Sequence, residues 1–225
     1  MARSTVEILQ AALDTWGITL TEKQCAQFSL YNDTLVDWNA NRMNLTRLVD
    51  PESVAILHFL DSLAFTQFCP IPHGARLIDV GAGAGFPGLA IKILRPDIRL
   101  TLLEATAKKL KFCEEIARLS ELTDVNFVHG RAEETGERRE FRGMFDVATA
   151  RAVASMNKLV PWVEPFLAKN GVFLAWKGPS AEDETREAAA VAHKLKIAWR
   201  VSPVTLPLSG NPPRVHRYVI CHREV

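Results

Sequence analysis

The chain has 225 residues, of which 48% are hydrophobic and 24% charged, a balance that suits a globular protein with one sizeable core and excludes a disordered chain. Its 27 Lys and Arg against 26 Asp and Glu leave a formal charge of +1, so any nucleic-acid contact must come from local patches and not from global attraction. No apolar run approaches the roughly 20 residues of a bilayer span, and Met1-Ala2-Arg3-Ser4 leads into an amphipathic segment rather than a secretory signal, which predicts a cytoplasmic protein with no membrane partner.

Residues up to about Phe68 read as helical. Val6, Ile8, Leu9, Ala12 and Leu13 mark one apolar face, and Cys25, Phe28, Leu30, Tyr31, Leu35 and Trp38 mark a second. Asp50-Pro51-Glu52 opens a third helix with an N-cap followed by proline in the first turn. The Pro/Gly segment Cys69-Pro70-Ile71-Pro72-His73-Gly74 then divides a helical cap, 1–70, from the remainder, 71–225, the two being expected to form one compact unit. The four cysteines, Cys25, Cys69, Cys113 and Cys221, lack the paired spacing of a zinc site, a redox dithiol or a disulfide framework, so no metal is expected.

Beyond that segment strands and helices alternate. Strands are predicted over 75–80, 100–103, 125–128, 145–149 and 172–176, and helices over 89–94, 108–119, 156–167 and 181–196. Two last strands, 197–201 and 215–221, have no helix between them and read as an edge hairpin. Such alternation implies an α/β fold, a mostly parallel sheet covered on both faces. Seven strands ending in an antiparallel hairpin resemble the Rossmann-like fold of S-adenosylmethionine-dependent methyltransferases. A dehydrogenase would repeat the mononucleotide half, which is missing here.

The most informative stretch is Leu77-Ile78-Asp79-Val80-Gly81-Ala82-Gly83-Ala84-Gly85-Phe86-Pro87-Gly88, an apolar strand running into a glycine-rich turn. Asp79, Gly81, Gly83, Gly85 and Phe86 become candidates for a cofactor cradle, because such a turn brings backbone N–H groups close to a ligand at a helix N-terminus. The other reading of the turn is purely structural, and for Phe86 it is a core aromatic at the helix start. Glu104 closes the next strand about 20 residues on, where a carboxylate accepts hydrogen bonds from ribose hydroxyls.

The turn after the fourth strand reads Ala150-Arg151-Ala152-Val153 rather than the Asn/Asp-Pro-Pro-aromatic motif of many amino-group methyltransferases, and no Pro-Cys pair supplies a thiolate for C5-pyrimidine chemistry. A guanine N7 fits what is left, since its lone pair attacks a sulfonium methyl without losing a proton, so no catalytic base is required.

At this point the chain resembles the bacterial small-subunit ribosomal RNA (16S, guanine-N7) methyltransferase G family, also called glucose-inhibited division protein B. The likeness runs from about residue 37 to 220. It rests on Trp38-Asn39 with Asn44-Leu45-Thr46, His58-Phe59-Leu60-Asp61-Ser62-Leu63, the loop 79–88, Gly130-Arg131-Ala132-Glu133, Ala150-Arg151-Ala152 and Trp176-Lys177-Gly178, each weak alone and specific together. Ala90 departs from the proline that many members carry.

The resemblance implies S-adenosylmethionine as cofactor, contacted by Gly81 and Phe86, with Ala132 and Glu133 beside its adenine and Arg151 reaching the site. It implies small-subunit ribosomal RNA, as an assembly intermediate, as partner. Asn39, Asn44, His58, Asp61, Arg151 and Lys177 are the substrate-positioning candidates. Each also has a structural reading: a turn or helix cap for the asparagines, a tie between cap and sheet for His58 and Asp61, an ion pair for Arg151, a solvated face for lysines. Further RNA-contact candidates are Arg42, Arg47, Lys108, Lys109, Lys111, Arg214 and Arg217. A monomer is the default, and the rival functions are a nicotinamide-dependent oxidoreductase or a nucleoside-binding ribosome-assembly factor without catalysis.

Overall fold

The computed structural model describes residues 3–223. Helices α1 (Thr5–Asp14) and α2 (Glu22–Asn41) each begin in a capping box, Ser4 with Glu7 and Thr21 with Gln24, so two otherwise orphaned N–H groups are satisfied at each start. A third helical stretch is α-helical over α3 (Pro51–Ser53), π-helical over Val54–Leu60, α-helical again over α4 (Asp61–Leu63) and 3-10 over Ala64–Gln67. Asp50 caps it as the sequence predicts, accepting from the Ser53 N–H at 2.9 Å.

The sheet follows: β1 (Arg76–Val80), α5 (Gly88–Leu94), β2 (Arg99–Glu104), α6 (Ala107–Leu119), β3 (Val125–His129), α7 (Ala132–Thr135), β4 (Phe145–Arg151), α8 (Met156–Val163), β5 (Leu167–Lys177), α9 (Ala181–Glu187), α10 (Ala189–Leu195), β6 (Ile197–Thr205) and β7 (Val215–Arg223). The strand order is β3-β2-β1-β4-β5-β7-β6, with β1 to β5 parallel and β7 antiparallel to both neighbours. Three expectations are corrected. The helix predicted over 156–167 stops at Val163, because Pro165 forces a 3-10 turn, Glu164–Phe166. The strand predicted over 172–176 starts at Leu167, since Asn170-Gly171, which reads as a turn, is an irregularity in the β4–β5 register. The single helix expected over 181–196 divides at Ala188.

Side-chain alternation assigns the two sheet faces. Leu77, Leu102, Leu174, Trp176 and Tyr218 belong to one core cluster, in which α5 and α6 contact the sheet and α2 packs on those two helices, and which takes in Phe28, Leu35 and Phe59 of the N-terminal helices. Ile78, Val80, Ala148 and Phe173 face α8, α9 and α10. Helix α2 is also fastened through polar groups. The Gln24 amide donates to the Ile93 and Leu94 carbonyls at 3.0 and 3.1 Å, and that of Gln27 to the Ser120 carbonyl at 2.7 Å, satisfying acceptors at the ends of α5 and α6. The N-terminal helices thus share the sheet's core. Among the described residues no helix is long and apolar enough to cross a membrane.

Candidate active site

The strand order reverses between β1 and β4, and ligands of such sheets bind outside the carboxyl ends at that point. A cavity of about 470 Å³ lies there, within the range of small-molecule sites. Gly81, Gly83, Phe86, Glu104, Ala132, Glu133 and Arg151 line it, together with Thr46 and His58.

Backbone forms the floor. The Gly81 and Ala82 N–H groups both donate to the Leu103 carbonyl, at 2.8 and 3.1 Å, turning the chain over the end of β2. Gly81 has φ +73°, and a Cβ there would stand 2.7 Å from Cγ2 of Val153, so only hydrogen fits. Glu104 ends β2 buried, its Oε2 accepting from the Gly83 N–H at 2.9 Å and its Oε1 from the Thr106 N–H at 2.8 Å. A carboxylate has about four acceptor positions, so two remain for hydroxyls of a ligand. A backbone cradle beside a fixed, buried carboxylate fits the adenosine of S-adenosylmethionine.

Asp79 and Gly85 do not line this cavity. Asp79 is fully buried, with Oδ2 accepting from the Gly88 N–H at 2.8 Å and Oδ1 from the Thr149 hydroxyl at 2.9 Å. Burial pushes its pKa up to about 6, opposed by those hydrogen bonds. The carboxylate closes the loop onto the start of α5. At Gly85, φ is +86° and a Cβ would collide with Leu89 and the Tyr31 hydroxyl.

Phe86 is both a core aromatic and a cavity wall. It stacks on Tyr31 with centroids 5.1 Å apart and on His58 at 4.6 Å, and the Arg151 guanidinium carbon lies 5.1 Å from its centroid. Arg151 leaves β4 toward the N-terminal helices. Its Nη1 donates to the Leu57 carbonyl and to Asp61 Oδ2, both at 3.1 Å, and its Nη2 to His58 Nδ1 at 2.9 Å. Because a guanidinium only donates, His58 Nδ1 must accept and Nε2 carries the proton, directed at Thr46 Oγ1 2.8 Å away. Burial, then the Arg151 charge, lowers the His58 pKa to about 3, so the ring is neutral at physiological pH.

Asp61 is the hub of the network. Besides Arg151 it accepts from the Tyr218 hydroxyl at 2.7 Å and from His216 Nδ1 at 2.8 Å, both at Oδ1, while its backbone carbonyl accepts from the Trp176 indole at 2.7 Å. Burial alone would raise its pKa. The His216 hydrogen bond and the Arg151 charge outweigh that and hold it below the ordinary carboxylate range.

A second cavity of about 500 Å³ adjoins the first, sharing Arg151, Ala152 and Val153. Ala152 between them takes φ +56°, a strained value for a side chain with a Cβ. Asp61 and His216 form one wall, Lys177 and Glu184 another. Sequence reasoning singled out Asp61 and Lys177 but missed His216, Tyr218, Glu184 and Tyr31. The signal for two of them was the period-2 spacing of His216 and Tyr218 on β7, which places both on the face of Trp176.

The remaining candidates lie apart. Asn39 Oδ1 accepts from the Leu45 and Thr46 N–H groups at 2.7 and 2.9 Å, holding the turn that presents Thr46. Asn44 is exposed and lines neither cavity. Of the basic candidates, Lys109 borders the first cavity, whereas Arg42 pairs with Glu115 at 3.0 Å and Arg217 with Glu182 at 2.9 Å.

The chain is similar in sequence and in fold to known proteins. Residues 24–205 match the family model described as rRNA small subunit methyltransferase G. A protein named ribosomal RNA small subunit methyltransferase G from Caldanaerobacter subterraneus is 42% identical over 210 residues, 93% of this chain and 87% of that protein. One of the same name from Streptococcus agalactiae is 45% identical over 174 residues, 75% of this chain and 71% of its own length. In fold, the chain is similar to a SAM-dependent O-methyltransferase from Thermotoga maritima, with a TM-score of 0.57 and 16% identity over 85% of this chain and 71% of that one. The chain belongs to the rRNA small subunit methyltransferase G family.

Proposed function

We propose that the protein transfers a methyl group from S-adenosylmethionine to N7 of a guanine in small-subunit ribosomal RNA. The observation that carries this reading is the pair of cavities joined at Arg151–Val153, one walled by a glycine loop and a buried ribose-accepting carboxylate, the other open for a base. S-adenosylmethionine, when bound, supplies an electrophilic methyl group on a sulfonium.

The guanine N7 lone pair forms the new N–C bond as the C–S bond breaks, and the sulfur keeps the bonding electrons. A positive charge passes from sulfonium to base and no proton is released. The chain's part is therefore alignment and electrostatics. Gly81 and Gly83 present backbone, Glu104 accepts from the ribose, Phe86 closes one side, and Ala132 with Glu133 border the adenine. Arg151, offset by Asp61, shapes the junction without adding net positive charge where a cation must be tolerated. His58 stays neutral for the same benefit. Asp79 and Gly85 act from behind, by holding the loop. Residues 1–70 form a helical cap completing the site on 71–225, and the protein acts as a cytoplasmic monomer on partly assembled RNA.

Mass mapping of ribosomal RNA tests this directly. Cells lacking the protein should lose one N7-methylguanine from the small-subunit RNA, and an unchanged modification pattern would reject the proposal. Calorimetry separates the oxidoreductase alternative, since S-adenosylhomocysteine should bind, NADH should not, and Glu104→Ala should weaken the former.

A further inference from the structure

The second cavity contains a donor and an acceptor whose capacities are not used up. Lys177, only 8% exposed in its side chain, donates from Nζ to the Ala154 carbonyl at 2.5 Å and to Glu184 Oε2 at 2.7 Å, leaving one of three protons. Glu184 Oε2 also accepts the Met156 N–H at 3.1 Å and is saturated. Its Oε1 accepts only the Ser180 hydroxyl, at 3.2 Å, and retains an acceptor position. Burial would raise the Glu184 pKa, but the Lys177 hydrogen bond and charge hold it below its ordinary value, so the carboxylate is ionised. Both side chains line the second cavity and neither lines the first.

We propose that Lys177 and Glu184 read the Watson–Crick edge of the target base and select guanine over adenine. This inference rests on the methyl-transfer reading above. In a purine the N7 edge and the Watson–Crick edge meet at the C6 substituent. A base with N7 turned to the junction at Arg151–Val153 therefore offers its C6 substituent and N1 to a neighbouring wall. For guanine these are an acceptor, O6, and a donor, N1–H, which match the free ammonium proton and the free carboxylate lone pair. Adenine reverses both, placing an amino group against the ammonium and an unprotonated N1 against the carboxylate. Adenine also has an N7 lone pair, so the reacting atom alone does not discriminate, and unpaired buried polar groups must.

The test uses the full-length protein and small-subunit RNA carrying guanine, inosine or adenine at the mapped position. Inosine keeps O6 and N1–H and lacks only the 2-amino group, so wild-type kcat/KM should fall by no more than about threefold, whereas adenine should fall by roughly 100-fold or more. Glu184→Gln, which can donate as well as accept, should lower transfer to guanine by about tenfold and shrink the guanine-to-adenine ratio by at least about tenfold. Its affinity for S-adenosylhomocysteine should stay within about twofold, a check on folding, because other side chains build the first cavity. A pair that merely ties α9 to the β4 loop would lower transfer to every base equally, and an unchanged ratio would overturn the inference. So would inosine as poor as adenine, an outcome that needs no variant. Wild-type protein inert on the guanine RNA would overturn the methyl-transfer reading itself.

Discussion

The two cavities share Arg151, Ala152 and Val153, yet the first is floored by the backbone of the glycine loop and the second is lined by charges held in pairs. On the cofactor side the N–H groups of Gly81, Gly83 and Gly88 are each tied to a neighbouring strand or carboxylate, so ligand binding is set by where the main chain runs. On the other side Asp61–Arg151 and Lys177–Glu184 are set by side chains from segments up to 90 residues apart. Backbone cradles fail when a side chain intrudes. Paired charges fail when one partner is removed.

Removing Asp61 is the severest test. Asp61→Ala leaves a guanidinium, an imidazole and a phenol facing one another without their acceptor, and it should cost about 3–5 kcal/mol in urea-induced unfolding. A loss below about 1 kcal/mol, the range of an exposed pair, would show that the network is solvated rather than buried.

Gly81→Ala probes the backbone side. Left-handed φ with a Cβ costs about 1–3 kcal/mol, and the added methyl meets Val153 at 2.7 Å, so affinity for S-adenosylhomocysteine should fall with stability. Val153→Ala in the same chain should recover part of the affinity by relieving the contact. If it recovers none, the strain rather than the collision accounts for the loss.

This contrast also explains what the sequence discloses. The glycine loop was legible because Gly81, Gly83, Gly85 and Glu104 fall within one βαβ unit, where spacing along the chain is spacing in space. Asp79 was read with the ligand-facing residues because its contacts, Gly88 and Thr149, depend on which face of β1 it occupies. The second cavity was legible only at Asp61, Arg151 and Lys177. Glu184 sits in an acidic helix start, Glu182-Asp183-Glu184, that looks solvated, and His216 comes from a hairpin strand whose pairing with β5 no local pattern announces. The β5 start was missed for a related reason, since Asn170-Gly171 carries turn chemistry inside a strand.

A smaller effect concerns acid. His58, ordinarily near 6.5, titrates at about 3 in the fold because burial and Arg151 disfavour its cation. The unfolded chain therefore takes up a proton first, and stability is lost as pH falls below about 6.5 toward 3, by about 2 kcal/mol at pH 5. Asp79, raised to about 6, acts in the opposite sense, gaining its proton in the folded state as pH falls. The measurement is thus the difference in pH dependence between wild type and His58→Gln, in which the Asp79 contribution cancels. Parallel curves would mean that the ring titrates alike in the folded and unfolded chains and that Arg151 is not holding it neutral.

The mildest change should be the most selective. Tyr31 is fully buried on α2, donates its hydroxyl to the Ala84 carbonyl at 2.5 Å and lies parallel to Phe86, so it joins the N-terminal helices to the glycine loop at one point. Tyr31→Phe keeps the stack and removes only the donor, and Ala84 O then loses a buried partner, a cost of about 1 kcal/mol. That loss falls on the loop itself, which sets the cofactor cavity, and not on the Asp61 network. S-adenosylhomocysteine affinity should therefore weaken severalfold while the guanine-to-adenine ratio stays unchanged. A shift in that ratio would show that the two cavities are not independent, and that the backbone cradle and the paired charges respond to one another through Phe86 and Arg151.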